Sequence, residues 1–114
     1  MPDLYIPSKG DVVWLDFSPQ AGHEQSGNRP ALCISPKEYN EKTGLAIFCP
    51  ITSHSKGYPF EVPLPDNIAN IALHGVLLAD HIKSLDWRIR HADYIYSIPE
   101  RLLAEVLGKL RTLL

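Results

Sequence analysis

Two loops carry the residue types that could do chemistry. The first runs Pro19-Gln20-Ala21-Gly22-His23-Glu24-Gln25-Ser26-Gly27-Asn28-Arg29-Pro30, between the apolar runs Gly10 to Phe17 and Pro30 to Ile34. Connections in compact domains usually span about six residues or fewer, and longer ordered ones tend to be functional. This one holds an imidazole, a carboxylate, an amide and a guanidinium, enough to move a proton and hold a negative charge. Pro30 restricts the backbone at Arg29 to extended geometry and so launches the guanidinium from the rim of a strand. Its fork of donors matches a phosphate. The second loop, Pro50 to Phe60, follows another apolar strand and presents Thr52, Ser53, His54, Ser55 and Lys56. Two such loops meeting at one end of a sheet would form a site for phosphate chemistry. A P-loop, a GxSxG elbow and glycosidase-like paired carboxylates are absent. The five histidines show no close metal-binding spacing with each other or with a cysteine.

The elements that must position these loops are mostly strands. Strands are expected at Gly10 to Phe17, Ala31 to Ile34, Leu45 to Ile51 (closed by Pro50) and around Tyr94-Ile95-Tyr96. Phe60, Val62 and Leu64 alternate as an edge strand. Gly75 to Leu85 reads as one bent strand, or two, with a kink near Asp80. Pro36 to Asn40 looks like a short helical turn, with Ser35 as possible cap and Gly44 as exit. A helix is expected from Pro99 to about Leu113, capped by Ser97. Its apolar stripe is Leu102, Leu103, Val106, Leu107, Leu110 and Leu113 or Leu114. Many short strands and one terminal helix predict a single domain over residues 1–114, a mainly β fold with a C-terminal helix, built as a small curved barrel.

At 114 residues, with 45% hydrophobic content and ten prolines, the chain fits a globular β-rich domain. No apolar run reaches the ~20 residues that span a bilayer, and the first residues lack signal-peptide character, so a cytoplasmic location is expected. Cys33 and Cys49 read as buried thiols. The formal charge of −2 argues against a general nucleic-acid binder. Local clusters can still suffice for a short single strand, and Lys83, Arg88 and Arg90 are close in sequence. Trp14 reads as core. Trp87 is either core or an exposed stacking surface.

The segments GDVVWLDFSPQAGHEQSGNRPALCIS, PITSHSKGYPFEVPL and HGVLLADHIKSLDWRIR, together with the VLGKLRTLL ending, carry a resemblance from Gly10 to the C-terminus to the MazF/PemK (Kid) family of toxin endoribonucleases. The joint occurrence of GHEQ-x-G-x-RP, PIT-S and LAD-x-IKS at these separations is specific. The resemblance implies an SH3-like barrel that forms a homodimer and cuts single-stranded messenger RNA at short sequences. It also implies metal-free cleavage to a 2′,3′-cyclic phosphate, with no cofactor, and neutralisation by an antitoxin whose acidic, apolar tail binds across the toxin. On the MazF pattern Arg29 and Thr52 are the catalytic pair. The PemK pattern of histidine, arginine and aspartate is met by His23 and Asp80, but Leu78 stands where the arginine belongs. Glu24 and Gln25 match positions that orient groups near the phosphate or contact RNA. RNA contacts are expected from Gln25, Ser53, His54, Lys56, His81 and Lys83; His81 stands where the family commonly has glutamine. Dimerisation would cover apolar surface such as Leu73, Val76 and Ile82. The alternative keeps the barrel without catalysis, as a toxin that binds a protein target such as DNA gyrase.

Overall fold

A computed structural model describes residues 4–16, 28–53, 56–64 and 75–114. Among these, seven strands form one antiparallel sheet and two helices pack around it. The strands are β1 (Asp11–Asp16), β2 (Asn28–Cys33), β3 (Leu45–Thr52), β4 (Glu61–Pro63), β5 (Val76–Leu78), β6 (Lys83–Asp86) and β7 (Asp93–Ser97); the helices are α1 (Lys37–Thr43) and α2 (Glu100–Arg111). The sheet runs β4-β5-β3-β2-β1-β7, with β6 also paired to β3. It is strongly bent but not closed, so "barrel" describes it only loosely.

The central strands bury side chains on both faces, as their near-continuous apolar sequences require. Val12, Leu32, Cys49, Ile51, Val62 and Leu77 pack under α2 with Val106 and Leu110. The alternate residues Val13, Leu15, Ala31, Cys33, Phe48 and Trp87 pack on the other face. Registers follow from this two-sided burial: Val13 opposes Ala31 across β1–β2, and Ala31 opposes Pro50 across β2–β3. β3 is long enough to serve two partners on its far edge. Ile51 and Thr52 pair with β5, whereas Leu45 to Phe48 pair with β6. The chain passes between them through a turn closed by the His81 N–H to the Leu78 carbonyl (3.1 Å), the expected kink at Asp80. Pro50 does not end β3, which continues to Thr52.

Neither predicted serine cap forms. The Ser35 hydroxyl donates to Asn40 Oδ1 (2.6 Å) and accepts the Ile47 N–H (2.8 Å), and Pro36 occupies the cap position of α1. Ser97 lies in β7 and donates to Asp11 Oδ1 (3.0 Å); Pro99 precedes α2. The apolar stripe of α2 stops at Leu110, since Leu113 and Leu114 are exposed. Val76 is buried rather than available for a partner, Ile82 is exposed, and Leu73 lies outside the described residues. Cys33 and Cys49 are buried and free, and burial pushes the Cys49 thiol up to about 12. Trp87 is core, with its indole N–H on the Asn40 carbonyl (2.9 Å); Trp14 packs, half-buried, against the α2 face. Among the described residues no helix is long and apolar enough to cross a membrane.

Asn40 locks this arrangement. Fully buried, it donates to the carbonyls of Pro7 (2.7 Å) and Ser35 (3.1 Å) and accepts from Ser35, tying the N-terminal segment, the end of β2 and α1 together. Asn40→Ala leaves these buried polar groups without partners. The expected cost is about 3 kcal/mol, read as a lower urea midpoint with an unchanged denaturant slope.

Candidate active site

The end of β3 is where the chemically competent residues collect. Thr52, Lys56, Tyr58, Glu61, Leu78, Asp80 and His81 line an open cavity of about 470 Å³. Thr52 enters from β3, Leu78 from β5, Asp80 and His81 from the turn after it, Lys56 and Tyr58 from the loop before β4, and Glu61 from β4 itself. The register Thr52–Val76–Pro63, with Leu78 opposite Glu61, puts these side chains on the face away from α2.

Three contacts hold the cavity wall in shape. The Glu61 carboxylate accepts the backbone N–H of Lys56 at Oε2 (2.7 Å) and that of Gly57 at Oε1 (3.1 Å), pinning the loop that carries Lys56. The Tyr58 hydroxyl donates to Asp80 Oδ1 at 2.8 Å. That bond, more than desolvation, pushes the phenol up to about 12, so Tyr58 remains a donor at any physiological pH. His81 Nε2 stands 3.8 Å from the same Oδ1.

Gly75 sets the approach of β5 to Thr52. A Cβ there would lie far inside contact distance of the Thr52 carbonyl oxygen and 3.0 Å from its carbon, and the glycine's φ of +150° is one that side-chain-bearing residues rarely adopt.

Arg29 lies on β2, half-buried, opposite Leu15 of β1. The β2–β3 ladder pairs Ala31 with Pro50, Leu32 with Cys49 and Cys33 with Phe48. Carried two residues further, the same register sets Arg29 level with Thr52 and on the same face, past the cluster of Ala31 and Phe48. Arg29 is not among the described residues lining the cavity. Ser53 is exposed directly after β3. Lys83 is exposed but pairs with Phe48, four residues down β3 from Thr52, roughly 13 Å at ~3.3 Å per residue. His23, Glu24, Gln25 and His54 lie outside the described residues. Arg88 stacks over Trp87 at 4.9 Å and Arg90 donates to the Asp16 carbonyl (3.3 Å), so the basic run at 83–90 does not gather at the cavity. Sequence reasoning missed Tyr58, Glu61 and Gly75. For Tyr58 the only signal was an aromatic ring between Gly57 and Pro59 in an otherwise polar loop; the other two declare themselves only through contacts distant in the chain.

The profile of the PemK-like, MazF-like toxins of type II toxin–antitoxin systems matches residues 8–114. This chain therefore belongs to that family of endoribonuclease toxins. It is 49% identical over 92 residues to the endoribonuclease toxin MazF of Escherichia coli K12, covering 81% of this chain and 79% of that protein. To the Escherichia coli endoribonuclease PemK it is 34% identical over 109 residues, covering 93% and 80%. The crystal structure of the MazE–MazF complex (form II) from Deinococcus radiodurans superposes with a TM-score of 0.85, at 57% identity and 96% coverage of both chains.

Gly75→Ala drives β5 off the Thr52 carbonyl. RNA cleavage should drop on the order of 100-fold, as for an ångström-scale misplacement of a reacting group. Gly44→Ala, which carries a left-handed backbone penalty of its own (φ +74°) but meets nothing within 4 Å, should cost stability without that loss of rate. Initial-rate assays on both purified variants make the comparison.

Proposed function

We propose that this toxin cuts single-stranded messenger RNA at short sequences without a metal ion, with Arg29 and Thr52 as its catalytic pair. The observation that supports the reading is the β2–β3 register: continued two residues past the Ala31–Pro50 pair it would set the Arg29 guanidinium and the Thr52 hydroxyl, distant in the chain, level on one face, and Thr52 lines an open cavity.

The chemistry asks little beyond what these residues supply. The ribose 2′-hydroxyl next to the scissile bond is the nucleophile. It attacks phosphorus, the bond to the 5′-oxygen breaks, and a 2′,3′-cyclic phosphate remains. The Arg29 fork holds two phosphate oxygens as negative charge develops, and the Thr52 hydroxyl donates a further hydrogen bond. Fixed donors aimed at developing charge contribute about 10²–10³ each. One proton must leave the 2′-hydroxyl and one must reach the departing 5′-oxygen, each transfer being worth about 10²–10⁴. His23 and Glu24, six and five residues before Arg29, are the groups of the first loop suited to this. Lys56 adds a phosphate contact from the cavity, and Gln25, Ser53 and His54 contact the strand on either side.

The MazE–MazF structures of the relative support an antitoxin partner for this chain. Its acidic and apolar tail would compete for the same cations. A homodimer, with exposed Ile82 at or near the contact, and a cytoplasmic location where messenger RNA is met complete the reading.

Purified protein incubated with a long transcript in excess EDTA should give discrete cuts ending in cyclic phosphate. Arg29→Ala and Thr52→Ala should each lower the rate by about 100-fold or more, with the thermal transition within a few degrees of wild type. Intact RNA alongside inhibited DNA gyrase would overturn the reading in favour of a protein-binding toxin.

A further inference from the structure

Asp80 is held in an unusual way for a carboxylate at the edge of an RNA-cutting site. Both of its close neighbours address one oxygen: the Tyr58 hydroxyl donates to Oδ1 at 2.8 Å, and His81 Nε2 stands 3.8 Å from that same atom, too far for a hydrogen bond. Oδ2 takes no hydrogen bond from the described residues. The side chain is nevertheless only 25% accessible, and it faces the cavity that also holds Thr52 and Lys56. The wall thus offers a fixed carboxylate acceptor with one oxygen unengaged by the described residues. Beside it lies the half-buried Tyr58 ring, 6.5 Å from Phe60, tilted by 54° and oriented by its own hydroxyl. An aromatic face next to an oriented acceptor is the arrangement that recognises an unstacked base of single-stranded RNA.

We propose that Tyr58 is a positioning residue for Asp80, and that the open oxygen of Asp80 selects a base carrying an exocyclic amino group in the nucleotide seated beside Thr52. The inference rests on the endoribonuclease reading above and adds to it the class of base accepted at this position. An ionised carboxylate accepts an amino hydrogen but repels a carbonyl oxygen. The edges of adenine, cytosine and guanine that carry an amino group therefore fit, whereas uracil presents two carbonyl oxygens flanking its single N–H. The Tyr58 hydroxyl acts through Asp80. Without it the carboxylate swings toward water or toward His81, and discrimination falls while the phosphate contacts of Arg29 and Thr52 stay in place. Asp80 thereby serves recognition, in place of the proton transfer that the PemK pattern suggests for it.

The test uses short RNAs that share one cleavage sequence and differ only at a base adjoining the cut, with kcat/KM measured for each on wild type, Tyr58→Phe, Asp80→Asn and the double variant. Wild type should favour amino-bearing bases over uracil at one position by about tenfold or more, the scale of a hydrogen bond to a charged acceptor. In Tyr58→Phe that ratio should collapse about tenfold, the loss falling on the amino-bearing RNA. The double variant should be no less selective than Asp80→Asn alone. A substrate whose preferred base carries a dimethylamino group should lose the same factor on wild type, a measurement that requires no variant to fold. An equal loss on every RNA, or unaltered selectivity in Tyr58→Phe, overturns the inference. Wild type that cuts all four RNAs at one rate overturns it while leaving the nuclease reading intact. Wild type that cuts none sinks the nuclease reading, and this inference with it.

Discussion

The site depends on one constraint, the register between β2 and β3. Side chains alternate along a strand, so a slip of one residue would carry Arg29 to the opposite face from Thr52 and leave the two groups separated by the sheet. What prevents the slip is that both faces of these strands are buried. Ala31, Cys33 and Phe48 fill one side while Leu32 and Cys49 fill the other, most with less than 2% of their surface exposed. Each fully buried apolar side chain contributes about 1.5–3 kcal/mol. Moving the register exchanges cysteine for leucine and phenylalanine positions in two differently shaped cores, and neither core accepts the other's volume. Pro30 stands just beyond the last paired residue, Ala31, and has no N–H to extend the ladder. The described β2–β3 pairing accordingly ends at Ala31–Pro50, and Arg29 and Thr52 lie two residues beyond it.

The opposite edge of β3 is organised by a second device. One long strand carries β6 along its first half and β5 along its last two residues, and the turn between them delivers Asp80 and His81 beside Thr52. That turn is close because Gly75 lets β5 start against the Thr52 carbonyl. The Gly75 carbonyl in turn accepts the Leu64 N–H at 3.0 Å, linking the entry of β5 to the exit of β4. Glu61 then draws the 56–57 backbone onto the same end of the sheet. Three segments far apart in the chain thus converge, two of them through backbone ladders and the third through the Glu61 carboxylate that accepts the 56–57 N–H groups.

Much of this was legible in the residues. Alternation and apolar runs located the strands, Gly44 marked the end of α1, and the Pro99–Leu110 stripe located α2. The errors share a cause: local rules lost to partners supplied by the tertiary fold. Ser35 and Ser97 have the chemistry of helix caps, yet buried Asn40 and Asp11 claim their hydroxyls. Asp11 also accepts from Tyr5 (2.6 Å) and from the Ser8 N–H (3.0 Å), so it anchors the N-terminal segment to β1 and β7. Trp87 was open to either assignment because its neighbours in sequence are charged; the Asn40 carbonyl, 47 residues away, decides it. Arg29 stood out by type and by the proline that follows it, and Thr52 by its place in the hydroxyl-rich loop after an apolar strand. Tyr58 and Gly75 did not, since a phenol's partner and a glycine's close approach are properties of pairs and not of positions. The His23–Gln25 segment falls outside the described residues, and its part in the site rests on sequence alone.

The charge balance bears on how such a site holds RNA. The chain is formally −2, and the cations that a sequence reading would assemble into a phosphate track are spent elsewhere. Arg88 lies on an indole and Arg90 on the Asp16 backbone, while Lys83 pairs with Phe48, four residues along β3 from Thr52. Around the cavity the described cations are Lys56 and the neighbouring Arg29, opposed by Asp80 and Glu61. Long-range attraction for a polyanion is therefore weak, and each phosphate neutralised contributes only one increment to affinity and to its salt dependence. On the proposed reading, affinity and selectivity would come from the same short stretch of bases, read by stacking and directed hydrogen bonds. On the base recognition proposed for Asp80, a carboxylate that discourages nonspecific phosphate binding would also belong to the recognition surface, and a net negative charge would be compatible with a ribonuclease of that kind.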